Sequence, residues 1–234
     1  SYYVDSCMVS YLMESPNREA LLKKYLPGLM SGWTIMAAGI THPEGSTNIP
    51  EWPILAKRDG DDWILNGSKL YVTNCGKADL VAFIGLTEDR EMRCFIVETS
   101  DPGVDDNYVE EKLGLCGNCS GSYFLTDVRV ADDHSFPKNP LDGFGPGNAL
   151  CAAVALGCAK GALAKTMDFV QHRSHKGPPI GAKQVVAHRI ARMWGQIEQS
   201  RALIYESLGM ADRLIVTGDT SLAAETKMLI STSK

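Results

Sequence analysis

The chain has 234 residues, of which 44% are hydrophobic and 22% are charged, and these values are typical of a globular protein. Its formal net charge of -5 argues against nonspecific nucleic-acid binding, and an acidic ligand would need a local basic patch. No stretch reaches the roughly 18 continuous apolar residues of a membrane span, so none is expected.

The cysteine pattern and the N-terminal residues bear on the cellular compartment. Seven cysteines, an odd number, are scattered along the chain, which favours a reducing environment. The first residues have neither the charged region nor the apolar stretch of a secretory signal. Both ends of the sequence fall within helix-like patterns, so we expect the chain to be incomplete.

The first 31 residues have the pattern of a helix. Ser15 followed by Pro16 resembles a cap with a first-turn proline, which predicts a helix running through residues 20–26. Pro27 and Gly28 are expected to break this helix, and the N-terminal helical segment is expected to end at Gly32.

From residue 33 to about residue 130 the pattern changes to short strands. Turn residues such as Pro, Gly, Asp and Asn separate runs of strand-forming residues. Many short, evenly spaced strands favour a β-barrel or sandwich. The predicted runs are 33–40, 52–58, 63–65, 69–73, 80–86, 93–98, 108–112 and 121–130.

The last part of the chain is predicted to be helical after a loop-rich linker at residues 131–147. Helices are expected at residues 149–173, 184 to about 213, and 222–229. The fold class is therefore α+β and multi-domain. The predicted divisions are the end of an N-terminal helical domain at 1–32, a middle β domain at 33–136 and an incomplete C-terminal helical domain at 137–234.

Residues 63–74 predict a β-hairpin. Asn66 and Gly67 tolerate the positive φ of a tight turn, and strand-forming residues flank them. Tyr71 and Thr73, two apart on the returning strand, would then share one face. An aromatic ring beside a hydroxyl suits a flat heteroaromatic ligand, but the pattern equally fits an ordinary half-buried strand, which is the commoner case.

Three other short motifs each have two interpretations. Cys116 and Cys119 form a CxxC pair, but no second pair follows for zinc and no helix opens there, so we expect incidental thiols and no metal site. The basic residues 172–177 could hold a phosphate or could complement a helix dipole. The turn at 41–46 could present N–H groups to a ligand or be an ordinary turn.

Five stretches, taken in order, resemble the acyl-CoA dehydrogenase family. The resemblance covers almost the whole chain, and its strength lies in the order of the motifs. The stretches are Tyr-Leu-Pro-Gly-Leu at 25–29 with Gly32, Thr-His-Pro-Glu-Gly-Ser at 41–46, Leu-Asn-Gly-Ser-Lys-Leu-Tyr-Val-Thr-Asn at 65–74 with Ala-Asp at 78–79, Leu-Gly at 113–114 with Phe-Leu-Thr-Asp-Val-Arg-Val at 124–130, and Arg-Ser-His-Lys-Gly at 173–177 with Gln184.

The resemblance implies an α–β–α subunit that binds FAD noncovalently and assembles as a homotetramer or dimer. In it, Tyr71 lies against the isoalloxazine, Thr73 bonds near the reactive nitrogen, and Arg173 meets the pyrophosphate of a neighbouring subunit's FAD. The residues that it assigns to FAD binding are Ile40, Thr41, Gly45, Ser46, Tyr71, Val72, Thr73, Arg173, Ser174 and Gln184; it also assigns Ser46 to the substrate.

The activity implied by the resemblance is oxidation of an acyl-CoA thioester to the 2,3-enoyl-CoA, a reaction of fatty acid metabolism. Electrons would pass to an electron-transferring flavoprotein. The expected location is the bacterial cytoplasm, or otherwise the mitochondrial matrix. Two alternatives stay open: a flavin-dependent monooxygenase or oxidase on the same fold, and a non-catalytic paralogue that serves as an assembly subunit.

The sequence departs from the family pattern at three places. His42 stands where the family has glutamate, and the turn that leads to Gly45 is one residue shorter. The helix before residues 155–157 is also shorter. The chain ends before the helices that carry the usual catalytic glutamate, so no base is nominated; Glu198, Glu206 and Glu225 are expected to be exposed acids on helices.

Overall fold

A computed structural model describes residues 9, 11–45, 48–138 and 145–217, with the backbone alone at 145–150, 214 and 215. By its internal contacts the chain divides into two compact units, residues 1–142 and 143–234. The first unit combines helix and sheet, and the described part of the second consists mainly of long helices. The division into three domains at residues 32 and 136 stays a prediction.

Helix α1, Arg18–Ser31, continues past the predicted break at Pro27. A proline inside a helix removes one hydrogen bond, and here the burial of Leu21 and Tyr25 offsets that loss. At Gly28 a Cβ atom would lie 2.1 Å from the Thr34 hydroxyl, so glycine permits the chain to fold back closely. The helix ends at Gly32, which has a φ of 76°.

In the described residues, eight strands form one sheet in the order β6-β7-β3-β2-β4-β5-β8, with β1 parallel to β4. β1 and β2 lie end to end along the same edge of β4, because each pairs with a different part of it. The strands are β1 Met36–Gly39, β2 Ile54–Asp59, β3 Asp62–Thr73, β4 Leu80–Thr87, β5 Met92–Glu98, β6 Val104–Val109, β7 Ser120–Ala131 and β8 Ser135–Pro137.

The prediction of a hairpin turn at Asn66 and Gly67 is wrong. β3 runs unbroken through both residues and pairs along its length with β7. The register shifts between Leu65 and Gly67, so the pair forms an irregularity within a strand. The actual hairpin turn lies upstream, where Asp59 of β2 pairs with Asp62 of β3.

The sheet buries both of its faces. On β4, Val81 and Phe83 belong to one apolar cluster, whereas Leu80 and Ile84 belong to another that includes Leu21 of α1. Because side chains alternate along a strand, a continuous apolar run such as β4 is buried on both sides.

The sheet curls, so that strands far apart in its order make contact. The rings of Trp63 on β3 and Phe95 on β5 lie 5.7 Å apart, and those of Phe83 on β4 and Tyr123 on β7 lie 5.5 Å apart. Both pairs are edge-to-face, a favoured aromatic geometry. The described edge strands β6 and β8 each pair with one neighbour, so the sheet is a sandwich-like fold without barrel closure.

The predictions for the linker and the C-terminal helices agree only partly with the structure. β8 lies inside the predicted loop at 131–147, because Phe136 is buried and pairs with Cys94 of β5. Helices α2, Gly145–His172, and α3, Gln184–Thr217, confirm two of the predicted helices with different ends. The third, at residues 222–229, lies outside the described residues. No described helix could span a membrane.

Candidate functional site

The turn that follows β1 carries Ile40, Thr41 and Gly45, three of the residues assigned to the flavin. The Gly45 N–H donates to the His42 carbonyl over 2.9 Å and closes the turn. Gly45 has a φ of 106°, a conformation that favours glycine. Ser46 lies outside the described residues.

The end of β3 carries Tyr71, Val72 and Thr73 around a β-bulge. The register to β7 shifts between Lys69 and Val72, and Tyr71 has a positive φ of 55°. Val72 is buried, Thr73 is half-buried, and the Tyr71 side chain is 68% exposed. The alternation rule does not hold across this bulge, so spacing alone cannot place Tyr71 and Thr73 on one face.

The fold brings the turn and the strand end together. The Leu70 N–H donates to the Thr41 carbonyl over 2.9 Å, and the Lys69 ammonium donates to the Ile40 carbonyl over 3.0 Å. These two motifs are about 30 residues apart in the sequence, and the sheet makes them neighbours.

Several hydrogen-bonding groups of this region are unused in the described part of the chain. The Thr41 N–H, the Thr41 hydroxyl and the Thr73 hydroxyl have no partner there. They belong to the same turn and strand end as the exposed Tyr71 ring, so this region carries both polar groups and an aromatic surface. This combination fits a flat heteroaromatic group that has hydrogen-bonding edges.

Lys69 is a site feature that sequence reasoning missed. Its side chain is fully buried, and its ammonium contacts the carbonyls of Ile40 and Ile84 and lies 2.6 Å from His42 Nε2. The Trp52 ring centroid is 4.9 Å away. The periodicity of the strand contained a signal for this. Lys69 is an even number of residues from the buried Trp63 and Leu65, so all three side chains are expected on the same, buried face.

Burial shapes the protonation of this cluster. It lowers the pKa of Lys69 well below its ordinary value. Burial and the Lys69 charge lower the pKa of His42 to about 4, so its imidazole is neutral at neutral pH. His42 Nδ1 and Trp52 Nε1 are buried without a hydrogen-bond partner among the described residues.

The second unit carries Arg173 and Ser174 in the loop between α2 and α3, and Gln184 at the start of α3. Arg173 follows α2, and its carbonyl accepts the Ile180 N–H over 2.8 Å, which folds the loop back on itself. Ser174 bridges to Pro179, and Gln184 begins α3. All three assigned side chains are exposed, and the Arg173 guanidinium has no partner in the part of the chain described.

Two family models match the sequence. The acyl-CoA dehydrogenase middle domain matches residues 37–128, and the acyl-CoA dehydrogenase C-terminal domain matches residues 140–233. Together these ranges include well over half of the chain.

This chain belongs to the acyl-CoA dehydrogenase family.

Similar proteins agree with this assignment. Glutaryl-CoA dehydrogenase of Desulfococcus multivorans is 31% identical over 215 residues, which are 87% of this chain and 55% of that protein. Among solved structures, glutaryl-CoA dehydrogenase of Mycobacterium smegmatis in complex with FADH2 has a TM-score of 0.79 and 26% identity, covering 97% of this chain and 64% of the other. Butyryl-CoA dehydrogenase of Megasphaera elsdenii has a TM-score of 0.77 and 28% identity, covering 92% and 58%. The chain thus spans about half the length of the curated relatives that it matches.

The described acids and thiols of this acyl-CoA dehydrogenase chain supply no evident base or metal site. Glu198 lies 2.7 Å from Arg201 and Glu206 lies 3.1 Å from Arg213, both as ion pairs on α3, and Glu225 is outside the described residues. The Cys119 carbonyl accepts the Asn74 N–H over 2.7 Å, so the CxxC loop contacts the end of β3. Among the described side chains, no cluster suits a metal ion.

Proposed function

We propose that this protein is an FAD-dependent acyl-CoA dehydrogenase that converts an acyl-CoA thioester to the 2,3-enoyl-CoA. One observation carries the proposal: the turn at residues 40–45 and the end of β3 are hydrogen-bonded to each other and together carry unused donors and an exposed tyrosine. The relative from Mycobacterium smegmatis, whose fold this chain shares, was solved with FADH2.

The residues of the first unit would hold the isoalloxazine. Thr41 offers an N–H and a hydroxyl, Tyr71 offers an aromatic face, and Thr73 offers a hydroxyl close to the buried Val72. Because Val72 anchors the strand end in the core, the two side chains that flank it have a fixed backbone. We assign Ile40, Gly45 and Ser46 to the same flavin turn, and Ser46 also to the substrate.

The residues of the second unit would hold the diphosphate part of FAD. A guanidinium pairs with a pyrophosphate through charge-assisted hydrogen bonds, and Arg173 has no competing partner among the described residues. We assign Ser174 and Gln184 to this contact as additional polar groups. In a homotetramer or dimer, the FAD held here would belong to a neighbouring subunit.

When bound, FAD supplies the acceptor for the hydride that leaves the β carbon of the substrate. The protein then has to orient the thioester, keep water away and remove the α proton with a carboxylate, which we place outside the described residues. We further propose that electrons pass to an electron-transferring flavoprotein and, because the relatives include bacterial proteins, that the enzyme works in the cytoplasm.

The decisive experiment is a visible spectrum of the purified protein, followed by anaerobic titration with a panel of acyl-CoAs. The panel should include butyryl-CoA and glutaryl-CoA, and a dye should accept the electrons. We expect a flavin spectrum that at least one acyl-CoA bleaches, with reduction of the dye.

Two other results would overturn the proposal. A flavoprotein that reduces no dye with any acyl-CoA but consumes oxygen when its flavin is reduced would be an oxidase or monooxygenase. A colourless protein that cannot be reconstituted with FAD would be a non-catalytic assembly subunit.

A further inference from the structure

The buried lysine of β3 and the residue that follows it contact every residue of the turn at residues 40–42. The Lys69 ammonium donates to the Ile40 carbonyl over 3.0 Å and lies 2.6 Å from His42 Nε2. The next residue of β3, Leu70, donates its N–H to the Thr41 carbonyl over 2.9 Å. Two adjacent residues of one strand therefore fix three consecutive residues of the turn.

The hydrogen bonds of the Lys69 ammonium are balanced. An ammonium has three N–H donors, and the three acceptors here are the Ile40 carbonyl, the Ile84 carbonyl on β4 and His42 Nε2. No carboxylate pairs with Lys69 in the part of the chain described. When the lysine is protonated, His42 accepts through Nε2 as the neutral tautomer that carries its proton on Nδ1.

The packing around the lysine stem holds this arrangement in place. A Cβ atom at Gly39, the last residue of β1, would lie 2.6 Å from the Phe83 ring and 3.3 Å from Cγ of Lys69. The absence of a side chain at Gly39 thus leaves room for Phe83 and Lys69 beside the turn. Within this packing the Lys69 side chain is fully buried.

We propose that Lys69, with His42 as its neutral acceptor, is the positioning residue that sets the backbone of the flavin turn at residues 40–42. This inference rests on the proposed function, since it assigns to the Lys69–His42 pair the geometry on which FAD binding by Thr41 depends. His42 accepts without a charge of its own, so the pair carries a net positive charge when the lysine is protonated.

The test measures the FAD dissociation constant and the free energy of unfolding of the FAD-free protein for five variants. Lys69→Met and His42→Leu remove the donor and the acceptor, whereas His42→Gln keeps an acceptor for the ammonium. The double variant Lys69→Met/His42→Leu removes both partners. Lys57→Met, on an exposed lysine of β2, is the matched control.

We expect Lys69→Met and His42→Leu each to raise the FAD dissociation constant about tenfold, and His42→Gln to restore binding to within about threefold of the wild type. The double variant should bind FAD no more weakly than Lys69→Met, because the two groups act as one unit. Lys57→Met should leave binding unchanged. Unchanged FAD affinity of folded Lys69→Met, or additive losses in the double variant, would overturn the inference.

A second measurement separates this inference from the proposed function. If the wild type does not bind FAD, the proposed function fails, and amide hydrogen exchange of the FAD-free protein still reports on the turn. Exchange at Leu70 and Gly45, whose N–H groups bond to Thr41 and His42, should be faster in Lys69→Met than in Lys57→Met. Equal exchange in the two variants would show that Lys69 does not fix the turn.

Discussion

The two regions assigned to FAD are built in different ways. The turn at residues 40–45 is held by a fully buried lysine and by the backbone of β3, inside a sheet whose two faces are covered. The loop at residues 173–184 is almost wholly exposed and is closed by local hydrogen bonds between two helices. The backbone of the first region is therefore positioned by the whole sheet. The backbone of the second region is positioned by local turns, and its side chains carry exposed charge.

This difference determines how substitutions should behave. Changes around the buried turn are expected to alter stability together with ligand binding, because the same groups serve both. Changes in the exposed loop are expected to alter binding alone. Four experiments test this contrast, and the first is expected to give the largest change.

The buried His42 should make the first unit sensitive to acid. Its pKa is about 4 in the folded protein, and an unfolded histidine titrates near 6.5. Between these pH values the unfolded chain binds more protons than the folded one. The contribution of His42 to the free energy of unfolding should therefore be fully present above pH 6.5, and its loss should lower that free energy by up to about 3 kcal/mol as the pH drops towards 4.

Urea unfolding across this pH range, for the wild type and for His42→Gln, measures the effect. The variant should lose most of the pH dependence. His175→Gln, which removes an exposed histidine of the second unit, should keep it. An identical pH dependence in His42→Gln and the wild type would show that the imidazole is not buried in its neutral form.

Gly39→Ala should destabilise the protein by about 2 kcal/mol, because the added Cβ would lie 2.6 Å from the Phe83 ring. The displaced ring and the Lys69 stem would also disturb the turn, so FAD binding should weaken in parallel. Chemical denaturation and FAD titration measure the two effects. In Gly114→Ala nothing lies within 4 Å of the new Cβ, and neither quantity should change; equal stability of the two variants would contradict the packing argument.

Arg173→Ala should raise the FAD dissociation constant about tenfold without changing the free energy of unfolding. Its guanidinium has no partner among the described residues, so its removal breaks no described contact. Arg192→Ala on α3, also exposed, is the control for loss of a positive charge. If both variants weakened FAD binding equally, a general charge effect would replace the specific contact.

Thr73→Val should weaken FAD binding or slow flavin reduction about fivefold, since it removes one hydroxyl and keeps the branched shape. Stopped-flow reduction and FAD titration measure these changes. Thr126→Val, at an exposed position of the neighbouring strand β7, should have no effect on either. Unchanged retention and reduction in Thr73→Val would remove Thr73 from the flavin contact.

Local patterns of apolar and polar residues in the sequence were enough to predict many of the strands and helices. The apolar runs predicted most strands near their observed positions, since burial of alternate or continuous apolar residues is a local property of a strand. The long helices α2 and α3 were predicted in the same way. The order of motifs also determined the family, which the matches to its middle and C-terminal domains confirmed.

Tertiary structure alone decided the features that depend on pairing. Asn66 and Gly67 have the residue types of a tight turn, but pairing with β7 keeps them in one strand. Phe136 lies in a loop-like stretch, and its burial beside β5 makes a strand there. At Pro27, packing of the helix onto the sheet outweighs one lost hydrogen bond.

For the site, the sequence nominated ten residues, and their contacts with FAD stay a prediction. What the sequence could not decide is how Ile40 and Thr41 are held, because a hydrogen bond between residues about 30 positions apart exists only once β3 and β4 have placed Lys69 in the core. A lysine in an amphipathic strand normally faces water. Here the curled sheet buries it and supplies three hydrogen-bond acceptors for its amino group.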